Sequence, residues 1–230
     1  MKTHILITGA SRGIGAAIAA SFDPATTTVV AISSKDGDLN DPAVPARLWA
    51  DALAALGGRI DVLINNAGVF EENPITRADA EWLASWDRTM QINLTASADL
   101  CRRAVLHWHT NDASGRIVNI ASRAAYRGDS PAHWHYAASK AGMVAMTKSI
   151  ARAYAKDGIY AFAICPGFTM TGMAEDYLAS RGGDKLLADI PLGKVADPEE
   201  VAAIAKFCAL DAPPSMTGAV LDVNGASYVR

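Results

Sequence analysis

Several absences narrow the class of this chain before any motif is considered. No apolar run approaches the ~20 residues that a membrane-spanning helix needs, so no membrane partner is expected. The first apolar run starts almost at Met1, and no signal peptide is expected either. Basic residues are not in excess: 21 Lys and Arg stand against 24 Asp and Glu, a formal charge of −3. Nucleic-acid binders normally present a basic face, which argues against that class of partner. Cysteine is scarce, and Cys101, Cys165 and Cys208 lie far apart in apolar contexts. They yield neither a zinc spacing nor a disulfide framework, and read as buried thiols in a reducing cytoplasm. There are no repeats, low-complexity stretches or dividing linkers, so one domain over residues 1–230 is expected, long enough to bury a full core.

What is present is an alternation of short apolar runs and helical segments. His4 to Thr8 reads as a strand, Gly9-Ala10-Ser11-Arg12-Gly13-Ile14-Gly15 as a glycine turn, and Ala16 to Phe22 as a helix. Strand, glycine turn and helix form the setting of a dinucleotide-binding loop: glycines admit a pyrophosphate, and the helix N-terminus directs N–H groups at it. Thr28 to Ser33 is the second strand. Its carboxyl end should face the adenosine ribose, where an acid selects the 2′-hydroxyl and a base selects a 2′-phosphate. Ser33-Ser34-Lys35, with Arg12 nearby, leans to NADP(H), while Asp36 and Asp38 pull the other way. Only a few residues then separate this strand from the helix Ala43 to Leu56. A crossover with its own helix needs a dozen or more, so the helix after the second strand is expected to be missing or reduced.

Ile60 to Ile64 is a buried-type strand ending in Asn65-Asn66-Ala67-Gly68. Arg77 to Thr89 and Ile92 to His109 read as helices, with Asn93 near the start of the second. Arg116 to Ala121 is a strand ending at Ser122; Tyr160 to Cys165 is another, followed by Pro166-Gly167. Residues 168–196 have little periodicity and read as a flap over a site. Pro198 to Leu210 is a helix with Asp197 as its N-cap, and Ala219 to Val223 is a last strand. Strands that are apolar along their length, alternating with helices, indicate a doubly wound parallel α/β sheet of Rossmann type. Ligands bind such sheets beyond the carboxyl ends of the strands. The glycine turn, Asn65 to Gly68, Ser122 and Pro166-Gly167 all fall there.

The chemistry centres on Tyr136-Ala137-Ala138-Ser139-Lys140. On a helix Tyr136 and Lys140 share one face, and the ammonium favours phenolate, bringing an acid of pKa ~10 closer to neutrality. Ser122 can offer a hydroxyl to the same place.

Taken together, Thr8 to Gly15, Asn65 to Gly68, Asn93, Ser122, Tyr136 with Lys140, Pro166-Gly167 with Thr171, Pro191 to Lys194, Pro198 to Ala202 and Gly218 to Gly225 resemble the short-chain dehydrogenase/reductase family from end to end. The resemblance implies a nicotinamide-dependent interconversion of a carbonyl compound and a secondary alcohol. Tyr136 would be the general acid and base, Ser122 would hold the substrate oxygen, and Lys140 would bind the nicotinamide ribose and lower the tyrosine pKa. Asn93 would place a relay water. Cofactor contacts would come from Gly9, Ser11, Arg12, Gly13, Ile14, Gly15, Ser33, Ser34, Lys35, Asp38, Leu39, Asn65, Ala67, Gly68, Tyr136, Lys140, Pro166, Gly167, Phe168 and Thr171. A homodimer or homotetramer through the long helices around Asn93 and Tyr136 is also implied. The chain departs from the family pattern at the shortened connection after the second strand and at Ala226, where a second glycine is common.

Two readings compete with a carbonyl reductase preferring NADP(H). One is a 3-oxoacyl thioester reductase; the other, from a different class, is a non-catalytic NAD(P)-binding regulatory protein. For the substrate, Arg123, Arg127, His133 and His135, with Trp134 and Tyr126, read either as a pocket for an aromatic or anionic carbonyl compound or as surface and packing residues.

Overall fold

The computed structural model describes residues 2–170 and 183–230. Six strands form one parallel sheet: β1 (Thr3–Thr8), β2 (Thr27–Ile32), β3 (Val62–Asn65), β4 (Gly115–Ile120), β5 (Ile159–Pro166) and β6 (Val220–Val223). Their order is β2-β1-β3-β4-β5-β6. Side chains alternate across the sheet, so each strand feeds two cores. On one face Leu6, Leu63, Ile117 and Ala161 meet Leu48 and Trp49 of α2 (Val44–Ala55) and Leu100, Ala104 and Trp108 of α4 (Ala96–Thr110). On the other, Ile5, Ile7, Ile64, Val118 and Phe162 meet Ile18 of α1 (Gly13–Ala20) and Val201, Ala202 and Ala205 of the helix Pro198–Lys206. The doubly wound architecture is therefore as the sequence indicates. Helix Pro198–Lys206 also starts as expected, with a capping box between Asp197 and Glu200.

The chain passes from β2 to α2 through turns at Ser33 to Ala43 without a helix, as expected, and without a further strand. That leaves β2 as the outer strand of the sheet. The two helices expected around Asn93 are instead one rod: α3 (Asp79–Met90) runs through a π-turn at Gln91–Thr95 into α4. A π-turn inserts one extra residue into the helical repeat, so the hydrophobic periodicity breaks there without the chain leaving the helix. A short helix, α5 (Ala124–Arg127), follows Ser122, and α6 (Trp134–Tyr154) carries Tyr136 and Lys140. The three cysteines are buried and free. Among the described residues no helix is long and apolar enough to cross a membrane.

Candidate active site

Four strand ends meet at one rim of the sheet. Gly9 leaves β1 with φ +67°, and a Cβ there would lie 2.6 Å from the Ala67 Cα, so the glycine permits both the turn and the close approach of the segment after β3. Two side chains fasten that contact. The Thr8 hydroxyl accepts from the N–H groups of Asn66 (3.1 Å) and Ala67 (3.0 Å), and Asn66 Nδ2 donates to the carbonyls of Thr8 and Gly9 at 3.2 and 2.9 Å. Ser11 and Arg12 stay exposed at the mouth of the turn, and α1 begins at Gly13 with Ile14 packed towards the core. The N–H groups at the start of α1 have no side-chain cap, which leaves them available to an anion.

Asn93 sits at the centre of the π-turn and is fully buried. Its Oδ1 accepts from the Val69 N–H at 2.8 Å; its Nδ2 donates to the Val69 carbonyl at 3.0 Å and to Ser139 Oγ at 3.2 Å. The Ser139 hydroxyl in turn donates to the Tyr136 carbonyl at 2.7 Å. One chain of bonds therefore links the segment after β3 to the turn of α6 that holds Tyr136. α6 comes this close because Gly142 faces Leu94 in the π-turn: a Cβ there would sit 2.7 Å from Leu94 Cδ2.

On that face of α6, Lys140 is buried and donates to the Ile120 carbonyl at 2.8 Å, at the end of β4. Gly68 lies beside it, with its Cβ position 3.5 Å from Lys140 Nζ, so any larger side chain at 68 would fill this corner. An ammonium has three donors, and among the described residues one is engaged. Burial pushes Lys140 down to about 8, within the range where a lysine titrates near physiological pH. Burial also raises the half-buried Tyr136, to about 12, and a hydrogen bond with the Ser122 side chain draws it part of the way back. Lys140 Nζ stands 5.8 Å from the centre of the tyrosine ring. Ser122 Oγ itself accepts from the Ala124 N–H at 3.1 Å, which fixes its rotamer. Desolvation is the main cause of the rise, and the Ser122 bond is the cause that opposes it.

The glycine turn, the uncapped start of α1, the small residue at 68 and the remaining donors of Lys140 suit a dinucleotide lying along this rim. The other expected contacts divide. Pro166 and Gly167 lie near Ser122: the Pro166 carbonyl accepts from the Arg123 N–H and Gly167 N–H donates to the Val223 carbonyl. Phe168 follows, its carbonyl accepting from Ala196. Asn65 faces away from the rim. Its side chain is buried in the core, donating to Asn119 Oδ1 at 2.9 Å and to Cys101 Sγ at 3.2 Å, because strand alternation turns residue 65 into the layer of α4. Thr171, and the part of the expected 168–196 flap that spans 171–182, lie outside the described residues.

The adenosine end is shaped by a residue not counted among the contacts. Ser33 N–H and Oγ both donate to Asp36 Oδ2, at 2.7 and 3.0 Å, and the bond from the Ser33 backbone is the main cause holding Asp36 below the usual carboxylate value. Lys35 and Ser34 are exposed at the tip of this turn. Asp38 accepts from the Asn40 N–H and Leu39 packs on the core next to α2, with its carbonyl on Gln91 of the π-turn.

The residues around Tyr136 do not form one pocket wall. Arg123 and Arg127 both reach Asp189, at 3.4 and 2.7 Å, with Arg123 beneath the Phe168 ring. His133 and His135 are buried on the other side, where His133 stacks on Phe70 at 3.9 Å and Phe70 meets Tyr136 edge-on at 4.8 Å. Trp134 is exposed and Tyr126 stacks on Tyr228. Asn66, Ser139 and Phe70 are the residues that sequence reasoning left unassigned. Ser139 was within reach, since it lies in the same stretch as Tyr136 and Lys140. Asn66 and Phe70 act across more than fifty residues, with no local signal.

Residues 35–226 match the family model described as enoyl-(acyl carrier protein) reductase. The chain is 34% identical to a 3-oxoacyl-(acyl-carrier-protein) reductase of Synechocystis sp., over 96% of this chain and 94% of the relative. It is also 34% identical to the enzyme of that name from Vibrio cholerae, over 97% and 96%. A D-threitol dehydrogenase of Mycolicibacterium smegmatis matches at 34%, over 98% and 92%.

Proposed function

The chain belongs to the short-chain dehydrogenase/reductase family of NAD(P)-dependent oxidoreductases, and from that premise we propose a carbonyl reductase in which Tyr136 is the general acid and NADP(H) is preferred over NAD(H). The observation that carries this reading is the corner where buried Lys140 faces Gly68 while the Tyr136 phenol bonds to Ser122. A bound nicotinamide supplies the hydride when a ketone or aldehyde is reduced and accepts it when a secondary alcohol is oxidised. Tyr136 gives its proton to the carbonyl oxygen. Burial keeps the phenol in the acid form at neutral pH, so the group is loaded for reduction. Ser122, with its rotamer fixed by Ala124, holds the same oxygen as charge builds on it. Lys140 offers its remaining donors to the nicotinamide ribose, and its charge favours the phenolate left after transfer.

Asn93 keeps the wall of the cleft in position. Its side-chain amide is engaged by Val69 and Ser139, so a relay water at this residue would use the main-chain carbonyl, which also accepts from Ser97 Oγ at 3.4 Å. Gly9, Ser11 to Gly15, Ala67 and Gly68 hold the pyrophosphate side; Ser33 to Lys35, Asp38 and Leu39 face the adenosine; and Pro166 to Phe168 face the carboxamide. Cytoplasmic residence and a homodimer or homotetramer belong to the same reading. Leu83 and Leu106, exposed on the rod formed by α3 and α4, and exposed Trp134 at the start of α6 support an association there.

A second reading, reduction of a 3-oxoacyl thioester, is favoured by the names of two of the relatives. One experiment separates the two: the absorbance of NADPH and of NADH is followed against ketones, aldehydes, quinones and 3-oxoacyl thioesters, and in reverse against secondary alcohols. Turnover of free carbonyl compounds with NADPH is expected. Turnover confined to thioesters would move the assignment to the second reading, and no turnover with either cofactor in either direction would sink both.

A further inference from the structure

Phe70 is a large apolar side chain left 39% exposed beside the Tyr136 ring. It follows Val69, whose N–H and C=O are both held by Asn93. One face of the Phe70 ring is covered: the His133 imidazole stacks on it at 3.9 Å, with 6° between the planes. Tyr136 meets it at 4.8 Å and 84°. Behind the covered face more rings follow. His135 lies 6.4 Å from His133 and stacks on Trp86 at 6.4 Å, and Trp86 stacks on Trp82 at 5.3 Å, so the row runs from α6 to α3. Burial holds both imidazoles below the usual histidine value, and they present neutral rings. Among the described residues both ring nitrogens of His135 lack a hydrogen-bond partner, so its contribution here is its faces. His133 is oriented by the Ser130 hydroxyl, 2.6 Å from Nδ1. The segment after Phe70 is tied to the same row: Asn73 N–H donates to the Ala132 carbonyl at 2.8 Å, and Asn73 Nδ2 to the Trp82 carbonyl at 2.9 Å. Phe70 is therefore held stiffly from behind while part of its ring stays bare, as a preorganised contact surface requires.

The geometry points to Phe70 as a specificity-determining wall of the cleft, with His133 as its positioning residue, conferring a preference for carbonyl compounds that carry an aryl group on the carbonyl carbon. This role rests on the reading of Tyr136 as the general acid. The substrate oxygen then lies at the Tyr136 and Ser122 hydroxyls, and the nicotinamide takes the corner of Lys140 and Gly68. Substituents on the carbonyl carbon must leave past the remaining walls, and the ring that borders Tyr136 is Phe70. An aryl group conjugated with the carbonyl is flat and can meet Phe70 offset or edge-on, the arrangements that aromatic pairs favour. A saturated ring of similar size buries comparable area without that contact. Because the row of rings fixes Phe70 beforehand, the contact forms without ordering a mobile side chain.

The test compares acetophenone with cyclohexyl methyl ketone, two ketones of similar size that differ in one ring. The quantity read is the ratio of their kcat/KM values, which does not depend on the folded fraction of a variant; intrinsic reactivity cancels between variants. Phe70→Leu should shift the ratio away from acetophenone by roughly three- to tenfold, the scale of one ring–ring contact, and Phe70→Tyr should keep it. His133→Ala should move the ratio in the same direction as Phe70→Leu, and His133→Phe, which restores a stacked ring, should return it. A ratio that Phe70→Leu leaves unchanged, or shifts towards acetophenone, would overturn the role of Phe70. Reduction of neither ketone by the wild-type chain would count against the proposed reaction, and the wall is then read by binding alone. Acetophenone binding in the presence of NADP+, followed by ligand-detected NMR, should be weaker in Phe70→Leu by the same factor. Binding that is equal in the two proteins, or absent from both, would overturn the role as well.

Discussion

Asn93 and Val69 form a closed pair: the carboxamide of one accepts from the N–H and donates to the C=O of the other, at 2.8 and 3.0 Å, inside the protein. This pair anchors the segment that places Gly68 against Lys140 and Phe70 against Tyr136. Asn93→Ala leaves two part-buried backbone groups of Val69 and the buried Ser139 short of a partner. It should destabilise the fold by about 1–3 kcal/mol, the cost of unsatisfied buried groups. NADPH should also bind more weakly, since the wall beside Lys140 is released. Denaturant unfolding and fluorescence titration of NADPH read the two effects. A variant of unchanged stability would show that the pair holds nothing in place.

Tyr136→Phe separates chemistry from binding. The ring and its edge contact with Phe70 survive, and only the hydroxyl bonded to Ser122 is lost. Turnover should fall by roughly 10²- to 10⁴-fold, the usual contribution of a positioned general acid. The Kd for NADPH should stay close to that of the wild type. Retention of most of the activity in this variant would remove Tyr136 from the reaction.

The pH dependence follows from the two buried groups. Tyr136, raised to about 12, is protonated across the working range, and Lys140, lowered to about 8, is charged only below that value. The kcat/KM for reduction should be level at lower pH and decline above about 8 as the ammonium is lost. Stability moves the opposite way. Between about 8 and the ordinary lysine value of 10.5, the unfolded chain holds a proton at Lys140 that the folded chain has released, so this residue favours folding increasingly as pH rises through the window. Unfolding measured against pH in the wild type and in Lys140→Met reads that difference. A decline in rate already complete near pH 6 would assign the limb to another group.

A fourth expectation concerns a residue far from the rim. Gly115 opens β4 directly under the Trp108 indole, which is fully buried and bonded through Nε1 to the Ile60 carbonyl at 2.7 Å. A Cβ at 115 would lie 2.0 Å from the ring. The tryptophan cannot withdraw without leaving that carbonyl unpaired, so Gly115→Ala should cost about 3 kcal/mol or more, at the upper end for overpacking. Denaturation midpoints provide the check, and a loss below about 1 kcal/mol would show that the indole has room to shift.

The parts of this molecule that were legible in its sequence are those governed by short-range rules. Alternating apolar runs marked the sheet and its two cores. The four-residue spacing of Tyr136 and Lys140 marked one helix face, and Asp197 with Pro198 marked a helix start. The parts that were not legible depend on contacts distant in sequence or on a break in the repeat. The π-turn at Gln91–Thr95 shifts the helical repeat by one residue, so a single rod read as two helices. Asn65 seemed a rim residue by its place at a strand end, but parity turned it inward to Asn119. Asp36 was weighed only as a charge, although its carboxylate closes the turn on Ser33. The short connection after β2 was visible as a missing helix. Its consequence, an open sheet edge, needed the strand order.

Cofactor choice rests on the opposition of Asp36 and Lys35. Asp36 puts a fixed negative charge at the carboxyl end of β2, where a 2′-phosphate would come, while Lys35 before it and Arg12 of the glycine turn are exposed. Arg47 does not tip the balance freely, since it bonds to the Asp36 carbonyl at 2.7 Å and to Asp51 at 3.2 Å. Under the proposed preference for NADP(H), two exposed bases outweigh one engaged carboxylate. Lys35→Glu should therefore lower kcat/KM for NADPH by about fivefold or more, the scale of one exposed charge pair, while leaving NADH almost untouched. Asp36→Asn should shift the ratio the other way and loosen the turn, because a neutral amide accepts from Ser33 more weakly than a carboxylate. Steady-state rates with each cofactor in the wild type and both variants decide it. A wild type that works faster with NADH, and a ratio that Lys35→Glu does not change, would mean that Asp36 reads the ribose and that the chain prefers NAD(H).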